Sequence, residues 1–300
     1  GNHPESVWSL LEKEKDCIRE VPSDRWNVNL DRNFNCAISR WGGFLDGVKP
    51  GEFDAAFFDL APGEATSLDP QQRWLLEVSW EALEYGGINP KQLKGKNVGI
   101  FIGISTHDYA IGTFAEKDLQ PISHYSGTGV SFSTSAGRLS YYYGTYGPAL
   151  SIDTACSSSL VAFHQACQSL RLEECDMAIV GGVNALLTPH LHVYLSKLGV
   201  MAGDGRCKPF DRRADGYVRA EGCGVVILQR LQKARQEKRT IFALSLGSAI
   251  NQCGRGASLT APNGIAQERC MRQALKQAQV TPGQIEFIEA HGTGNPLGDA

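Results

Sequence analysis

Followed for apolar and polar alternation, the chain breaks into short segments whose period switches between that of a helix and that of a buried strand. Residues 6–19 (SVWSLLEKEKDCIR) set Val7, Leu10, Leu11 and Ile18 at helical spacing with charges on the opposite face, and Pro22 stops the run. The stretch to about residue 66 has no regular period but carries Trp26, Phe34, Trp41, Phe44, Phe53, Phe57 and Phe58, and reads as an ordered insertion over a core. Ser67-Leu68-Asp69-Pro70 then opens a helix, with Trp74, Leu75, Val78, Ala82 and Leu83 at helical spacing and Gly86-Gly87 as its stop. The run 97–104 (NVGIFIGI) reads as a buried strand. Beyond it the two patterns alternate: strands at 150–153, 176–180 (closed by Gly181-Gly182), 224–228, 242–249 and 285–289, helices at 157–170 and 266–279. Such alternation predicts an α/β layered fold with buried sheets.

Composition narrows the function classes. The 300 residues allow one large domain or two smaller ones, and 42% apolar with 20% charged residues suits a globular protein with a substantial core. Its 33 glycines exceed the average of roughly 7% and cluster between apolar runs, as tight turns and close backbone approaches do. A net charge of −3 with no basic stripe argues against nucleic acid or an anionic membrane as partner, and the densest basic segment, 233–239, reads as a solvated helix end. No apolar run approaches the roughly 20 residues a bilayer requires. The nine cysteines (17, 36, 156, 167, 175, 207, 223, 253 and 270) form no CxxC pair and no zinc-like Cys/His spacing. Without a signal peptide this predicts reduced thiols, no metal and a cytoplasmic setting. Gly1 at one end and Asp299-Ala300 at the other do not read as natural termini, and a longer gene product is expected.

The chemistry concentrates at Ser151–Leu160, SIDTACSSSL. A strand ends near Asp153 and a helix of small residues begins at once, so Cys156 lies at or near a helix N-terminus. Unsatisfied N–H groups and the helix dipole there favour a thiolate. The same N–H groups can receive an oxyanion when sulfur attacks a thioester carbonyl. Most cysteines are inert core residues; the strand–turn–helix context separates Cys156 from the other eight. A partner is offered by His291 in EAHGTG (289–294), where a strand end opens into a glycine loop. His107, His124, His164, His190 and His192 lack such surroundings, His3 lies too near the chain end to be read, and His164, two turns after Cys156, reads as a packing residue.

DTACSSSL (153–160) resembles the nucleophile motif of the ketosynthases in type I polyketide synthases and related fatty-acid synthases, and EAHGTG resembles the loop of the first of that family's two catalytic histidines. LDPQQRWLLEVSWEALE (68–84), AGRLSYYYGTYGP (136–148), GRCKPFDRRADGYVRAEGCGVVIL (205–228) and LTAPNG (259–264) follow the family pattern in the same order. The resemblance implies a thiolase-like α-β-α-β-α layered fold of two similar halves: an N-terminal half over 1–235 with an insertion at about 20–95, and the start of a C-terminal half over 236–300, incomplete here. It implies a β-ketoacyl-acyl carrier protein synthase that is a homodimer, works with an acyl carrier protein and other synthase domains, and binds no cofactor of its own, the phosphopantetheine arm of the carrier bearing the substrates. Cys156 is then the acyl acceptor, and His291 stabilises the enolate formed when a malonyl-type extender loses CO2. Thr293 and Asn295 match positions that contact the pantetheine arm, although a second threonine is common where Asn295 stands. An acidic residue is frequent in the family at Cys253. The family's second catalytic histidine, a lysine and the glycine-rich segment completing the oxyanion hole fall outside this chain, so the isolated chain is expected to be inactive and to leave sheet edges and apolar surfaces uncovered.

Two other function classes use the same residues. A dimerising scaffold that only docks carrier proteins has no need of a thiol at a helix N-terminus. A cysteine hydrolase needs a third group to orient the histidine, and the sequence identifies none.

Overall fold

The computed structural model describes residues 3–27, 38–115, 122–256, 258 and 260–299; Gly1, Phe34, Cys36, Leu259 and Ala300, named above, lie outside them. In chain order the elements are helix α1 (Pro4–Glu12), strands β1 (Ile18–Glu20) and β2 (Trp41–Gly43), helices α2 (Pro62–Ser67) and α3 (Pro70–Tyr85), and strand β3 (Val98–Gly103). Then come α4 (Asp108–Phe114), α5 (Ser126–Val130), α6 (Phe132–Tyr143), β4 (Ala149–Ile152) and α7 (Ser158–Arg171). The chain continues through β5 (Met177–Asn184), α8 (His190–Lys197), β6 (Gly222–Gln229), α9 (Leu231–Gln236), α10 (Gly264–Ala278) and α11 (Pro296–Asp299). These elements form two compact units, one of residues 47–185 with 222–291, the other of 1–46 with 186–221 and 292–300.

The larger unit is built on a four-stranded sheet in the order β4-β3-β5-β6. β3 runs parallel to both β4 and β5, with Ile100 opposite Ala149 and Ile179, and β6 pairs antiparallel to β5. Every residue of β3 is buried, as expected of a central strand covered on both faces. Successive strand residues point to opposite faces, and two adjacent glycines show what covers each. A Cβ at Gly181 would meet Leu75 of α3, whereas one at Gly182 would meet Ser159 of α7. The sequence pattern ends this strand at Val180, but β5 runs on to Asn184 because the glycines are needed inside it for these close approaches. α6 joins the α3 layer, where the Ser79 and Tyr143 hydroxyls hydrogen-bond at 2.8 Å. On the other face Phe101, Ala162, Ala166, Leu170, Cys175, Ala178 and Val180 form a core between sheet and α7.

The helix expected over Ser67–Tyr85 is α3, which begins at Pro70 and ends before Gly86, while Ser67 closes the separate helix α2. Leu68 (ψ 124°) and Asp69 (ψ 129°) part the two, Asp69 because the residue before a proline is pushed out of the helical region. Asp69 then caps α3, its carboxylate accepting the Gln71 N–H, and Pro70 occupies the first turn. The segments 242–249 and 285–289, strand-like in pattern, form no strand among the described residues. Segment 242–249 lies between α7 and α10: Ser245 and Ser248 meet Cys167 and His164 of α7, and a Cβ at Gly247 would strike Ala274 and Ala278 of α10. It is a fourth layer, with no strand beside it among the described residues. A strand exists only through a ladder, and Phe242, Leu244, Leu246, Phe287 and Ile288 are exposed.

In the smaller unit, β1 and β2 form an antiparallel pair that places Ile18 opposite Gly43. Ile18 is therefore a strand residue; α1 ends at Glu12, and Glu14 turns the chain at φ 48°. Val21, Phe44 and Leu186 form a core with Trp26 packed against it. The Glu221 carboxylate sits beside that core, with its side chain 0% exposed, and binds the Arg25 guanidinium at 2.8 Å. It also accepts the Leu45 and Leu186 N–H groups at 3.0 and 3.2 Å. Among the described residues no helix is long and apolar enough to cross a membrane.

Candidate active site

Between β4 and α7 the chain has five residues in which to turn from strand to helix. Asp153 and Thr154 lead into a 3-10 turn, Ala155–Ser157, that passes directly into α7. The turn requires Ala155 to take φ 53°, a left-handed conformation that costs an L-residue roughly 1–2 kcal/mol. Side chains on either side hold it. Asp153 Oδ1 accepts the Ala155 N–H at 3.0 Å, and the Ser157 hydroxyl donates to the Thr154 carbonyl at 2.9 Å. The Ser158 hydroxyl accepts the Thr154 N–H at 2.9 Å and donates to the Ala155 carbonyl at 2.6 Å. Cys156 projects from this turn, exposed, at the N-terminal end of a 14-residue helix. Its sulfur is open to attack on a substrate, and the first N–H groups of the helix lack intrahelical acceptors.

The depth of α7 is set by glycine. A Cβ at Gly103, the last residue of β3, would lie 2.5 Å from Ser159 N and 2.7 Å from Ser158 C. The first turn of α7 thus rests on bare strand backbone at the carboxyl edge of the parallel strands, where active sites of such sheets form. The same edge carries a buried polar chain that the sequence did not announce. The Thr106 hydroxyl lies 2.8 Å from Gln71 Oε1 and 3.0 Å from Asn184 Oδ1, and the Gln71 amide donates to Asp69 and to the Thr106 carbonyl. Asp69 is so enclosed that burial pushes its carboxyl up to about 6. The available signal was the polar run Asp69-Pro70-Gln71-Gln72-Arg73 at the head of an otherwise apolar-faced helix, all of it buried.

His291 ends the larger unit as an exposed loop residue. It shares that unit with Cys156, and no hydrogen bond joins the two among the described residues. Thr293 and Asn295 belong to the smaller unit, in a loop whose glycines Gly292 and Gly294 take φ 39° and 63°. The loop is organised by a residue that sequence reasoning passed over as a chain end. The Asp299 carboxylate accepts the N–H groups of Thr293, Gly294 and Phe210, each at 3.0 Å. The Asn295 side chain accepts the Leu297 N–H, and Gly216 N–H donates to the Gly294 carbonyl at 2.9 Å. His164 is tied by Nδ1 to Ser248 Oγ at 2.9 Å, and burial lowers its pKa. All eight described cysteines are free thiols; Cys167 and Cys175 are buried, and burial pushes the Cys175 thiol up. No group of three or more His, Cys, Asp or Glu among the described residues is placed to hold a metal.

Comparison with known proteins gives this geometry its context. The family described as "Beta-ketoacyl synthase, N-terminal domain" matches residues 1–234, and "Beta-ketoacyl synthase, C-terminal domain" matches residues 242–300. A phenolphthiocerol/phthiocerol polyketide synthase of Mycobacterium tuberculosis (strain CDC 1551) is 46% identical over 301 residues, covering 99% of this chain and 16% of that protein. An erythronolide synthase of Saccharopolyspora erythraea is 46% identical over 297 residues, covering 99% of this chain and 9% of that protein. Among solved structures, the ketosynthase from module 6 of the bacillaene synthase of Bacillus subtilis 168 superposes with a TM-score of 0.88 at 36% identity, covering 98% of this chain and 49% of that one. An oxazolomycin ketosynthase domain of Streptomyces albus JA3453 gives a TM-score of 0.92 at 35% identity, covering 98% and 51%. The layered α/β arrangement is thus the thiolase-like fold of these domains, of which the chain spans about half.

Proposed function

The chain belongs to the β-ketoacyl synthase family, and on that premise we propose that it carries the acyl-accepting centre of a 3-oxoacyl-acyl carrier protein synthase, an acyltransferase of polyketide or fatty-acid assembly. The observation that carries the reading is the exposed Cys156 on a braced turn at the head of α7. In the first stage the Cys156 thiolate attacks the carbonyl of an acyl thioester on a carrier protein. The new C–S bond forms as the bond to the pantetheine sulfur breaks, and the carrier leaves as a thiol. Helix N-terminal N–H groups stabilise the passing oxyanion. In the second stage a malonyl-type thioester on the carrier loses CO2, and its enolate carbon attacks the acyl-Cys156 carbonyl and expels the thiolate. His291 donates a hydrogen bond to the enolate oxygen, while Thr293 and Asn295 contact the pantetheine arm. Decarboxylation supplies the carbon nucleophile without a strong base, so no bound cofactor is required.

The same reading makes residues 1–235 the N-terminal half of the catalytic domain and 236–300 the start of its C-terminal half, in a cytoplasmic synthase with further domains. A second copy is its natural partner. β4 is an edge of the larger sheet with Leu150 exposed, and an unpaired edge of this kind is satisfied by an isologous neighbour.

The test uses full-length protein incubated with an acyl thioester, followed by mass measurement of the Cys156 peptide. Acyl mass on that peptide, lost in Cys156→Ala, is the expected result. His291→Ala should load normally and lose extender decarboxylation. Absence of any adduct overturns the assignment in favour of a docking scaffold, and release of free acid in place of carbon–carbon bond formation overturns it in favour of a hydrolase.

A further inference from the structure

We propose that Ser158 is a positioning residue for the Cys156 nucleophile, holding the turn before it in a conformation that the backbone alone does not favour. The inference rests on the reading of Cys156 as the acyl acceptor. Ala155 sits at φ 53°, where an L-residue relaxes toward negative φ unless its surroundings hold it. Cys156 is the next residue, so any relaxation at Ala155 swings its Cα–Cβ bond and moves the sulfur from its place at the head of α7.

Ser158 opposes that relaxation from both ends. Its single hydroxyl takes the Thr154 N–H at 2.9 Å and gives its own proton to the Ala155 carbonyl at 2.6 Å, so one side chain pins the peptide groups that bracket Thr154 and Ala155. Asp153 and Ser157 also bond to the turn, but both are exposed, and water can replace what they offer. Ser158 is 6% exposed, so water does not readily replace its two bonds. Neither bond involves the thiol: Ser158 acts through backbone geometry alone. Serine is required because the position needs a short side chain that is donor and acceptor at once.

The experiment compares full-length Ser158→Ala and the double variant Ala155→Gly/Ser158→Ala with the unaltered protein. Two rates are read on the Cys156 peptide, acyl transfer from a thioester and alkylation by iodoacetamide as a function of pH. Ser158→Ala is expected to slow acyl transfer by about tenfold or more, as displacements under 1 Å do at reacting centres. It should also slow alkylation across the whole pH range, as the sulfur moves from the exposed position that the braced turn gives it. The double variant should recover most of both losses, because glycine occupies positive φ without strain. A purely structural role for Ser158 gives no such recovery, since adding glycine to an already weakened turn only loosens it further. Should Ser158→Ala be too unstable to isolate, Ser158→Cys, near-isosteric with weak hydrogen bonding, carries the same expectation, with each adduct assigned to Cys156 or to position 158 by fragmenting the peptide. Unaltered acyl transfer and alkylation in Ser158→Ala, or no recovery in the double variant, overturns the proposal. If the unaltered protein is never acylated at Cys156, the nucleophile assignment fails, while the alkylation profiles still decide the role of Ser158.

Discussion

Replacing Gly103 by alanine tests whether α7 is seated by bare backbone. The added Cβ would lie 2.5 Å from Ser159 N, 2.7 Å from Ser158 C and 2.8 Å from Ser159 Cα, all backbone atoms that cannot rotate away. Ordinary contact begins near 3.4 Å, so the first turn of α7 must retreat by about 0.6–0.9 Å or β3 must bow by as much. Overpacking of this kind costs about 1–3 kcal/mol of stability, and Cys156 moves with the turn. A displacement near 1 Å at a reacting centre lowers rate by up to about a hundredfold. Acyl transfer to Cys156, followed by mass spectrometry at timed intervals, is therefore expected to slow by about 10- to 100-fold at a temperature where circular dichroism shows the fold intact. Gly182→Ala is the internal control. Its Cβ meets the Ser159 side chain at 2.8 Å, so the milder defect should be relieved by adding Ser159→Gly. Gly103→Ala that loads at the unaltered rate while keeping its stability refutes the seating argument.

Two further perturbations probe the scaffold. The Glu77 carboxyl on α3 is pushed from 4.5 up to about 7, by burial first and then by Glu81 and Asp54. A raised carboxyl contributes stability below pH 4.5 that is lost as pH climbs through 7, so Glu77→Gln should melt higher than the parent at pH 8, by about 1–2 kcal/mol after allowance for partial exposure. That gap should close below pH 4.5, and parallel melting curves across the range would contradict the assignment. Glu221→Ala removes the acceptor shared by Arg25 and the Leu45 and Leu186 N–H groups, leaving a guanidinium with 7% of its side chain exposed and unpaired. Denaturant unfolding should register a loss of about 3–5 kcal/mol, and a loss under 1 kcal/mol would mean water takes over the three bonds.

What the sequence disclosed and what it hid divide along one physical line. β3 and α7 were legible because a buried strand and an amphipathic helix are written in contiguous residues, and Cys156 was legible because its strand, turn and helix are neighbours in the chain. The start of α3 is local too: Asp69 and Pro70, neighbours in the chain, supply its cap and its first turn. Segment 242–249 reads as a strand yet forms none among the described residues, because alternation records which residues could face a core, while a ladder depends on a neighbour elsewhere in the chain. The same non-locality concealed Asp299, whose three N–H donors include one at Phe210, and the Thr106–Gln71–Asn184 chain, whose members come from a loop, α3 and β5. Gly181 and Gly182 looked like a stop because a strand glycine and a turn glycine are the same letter; only the atoms facing them tell the two apart.

The smaller unit has a temporal consequence. Its first segment, 1–46, finds its core partner at Leu186 and its buried counter-ion at Glu221. On a translating ribosome the whole of 47–185 must be polymerised before either arrives, a delay on the order of ten seconds. Throughout that interval Val21 and Phe44 lack Leu186 and Arg25 lacks its carboxylate, while the larger unit's β3, β4 and β5 can already assemble. Biogenesis of this chain is thus expected to run from the middle outward, with its amino-terminal residues among the last to settle and the natural clients of a chaperone.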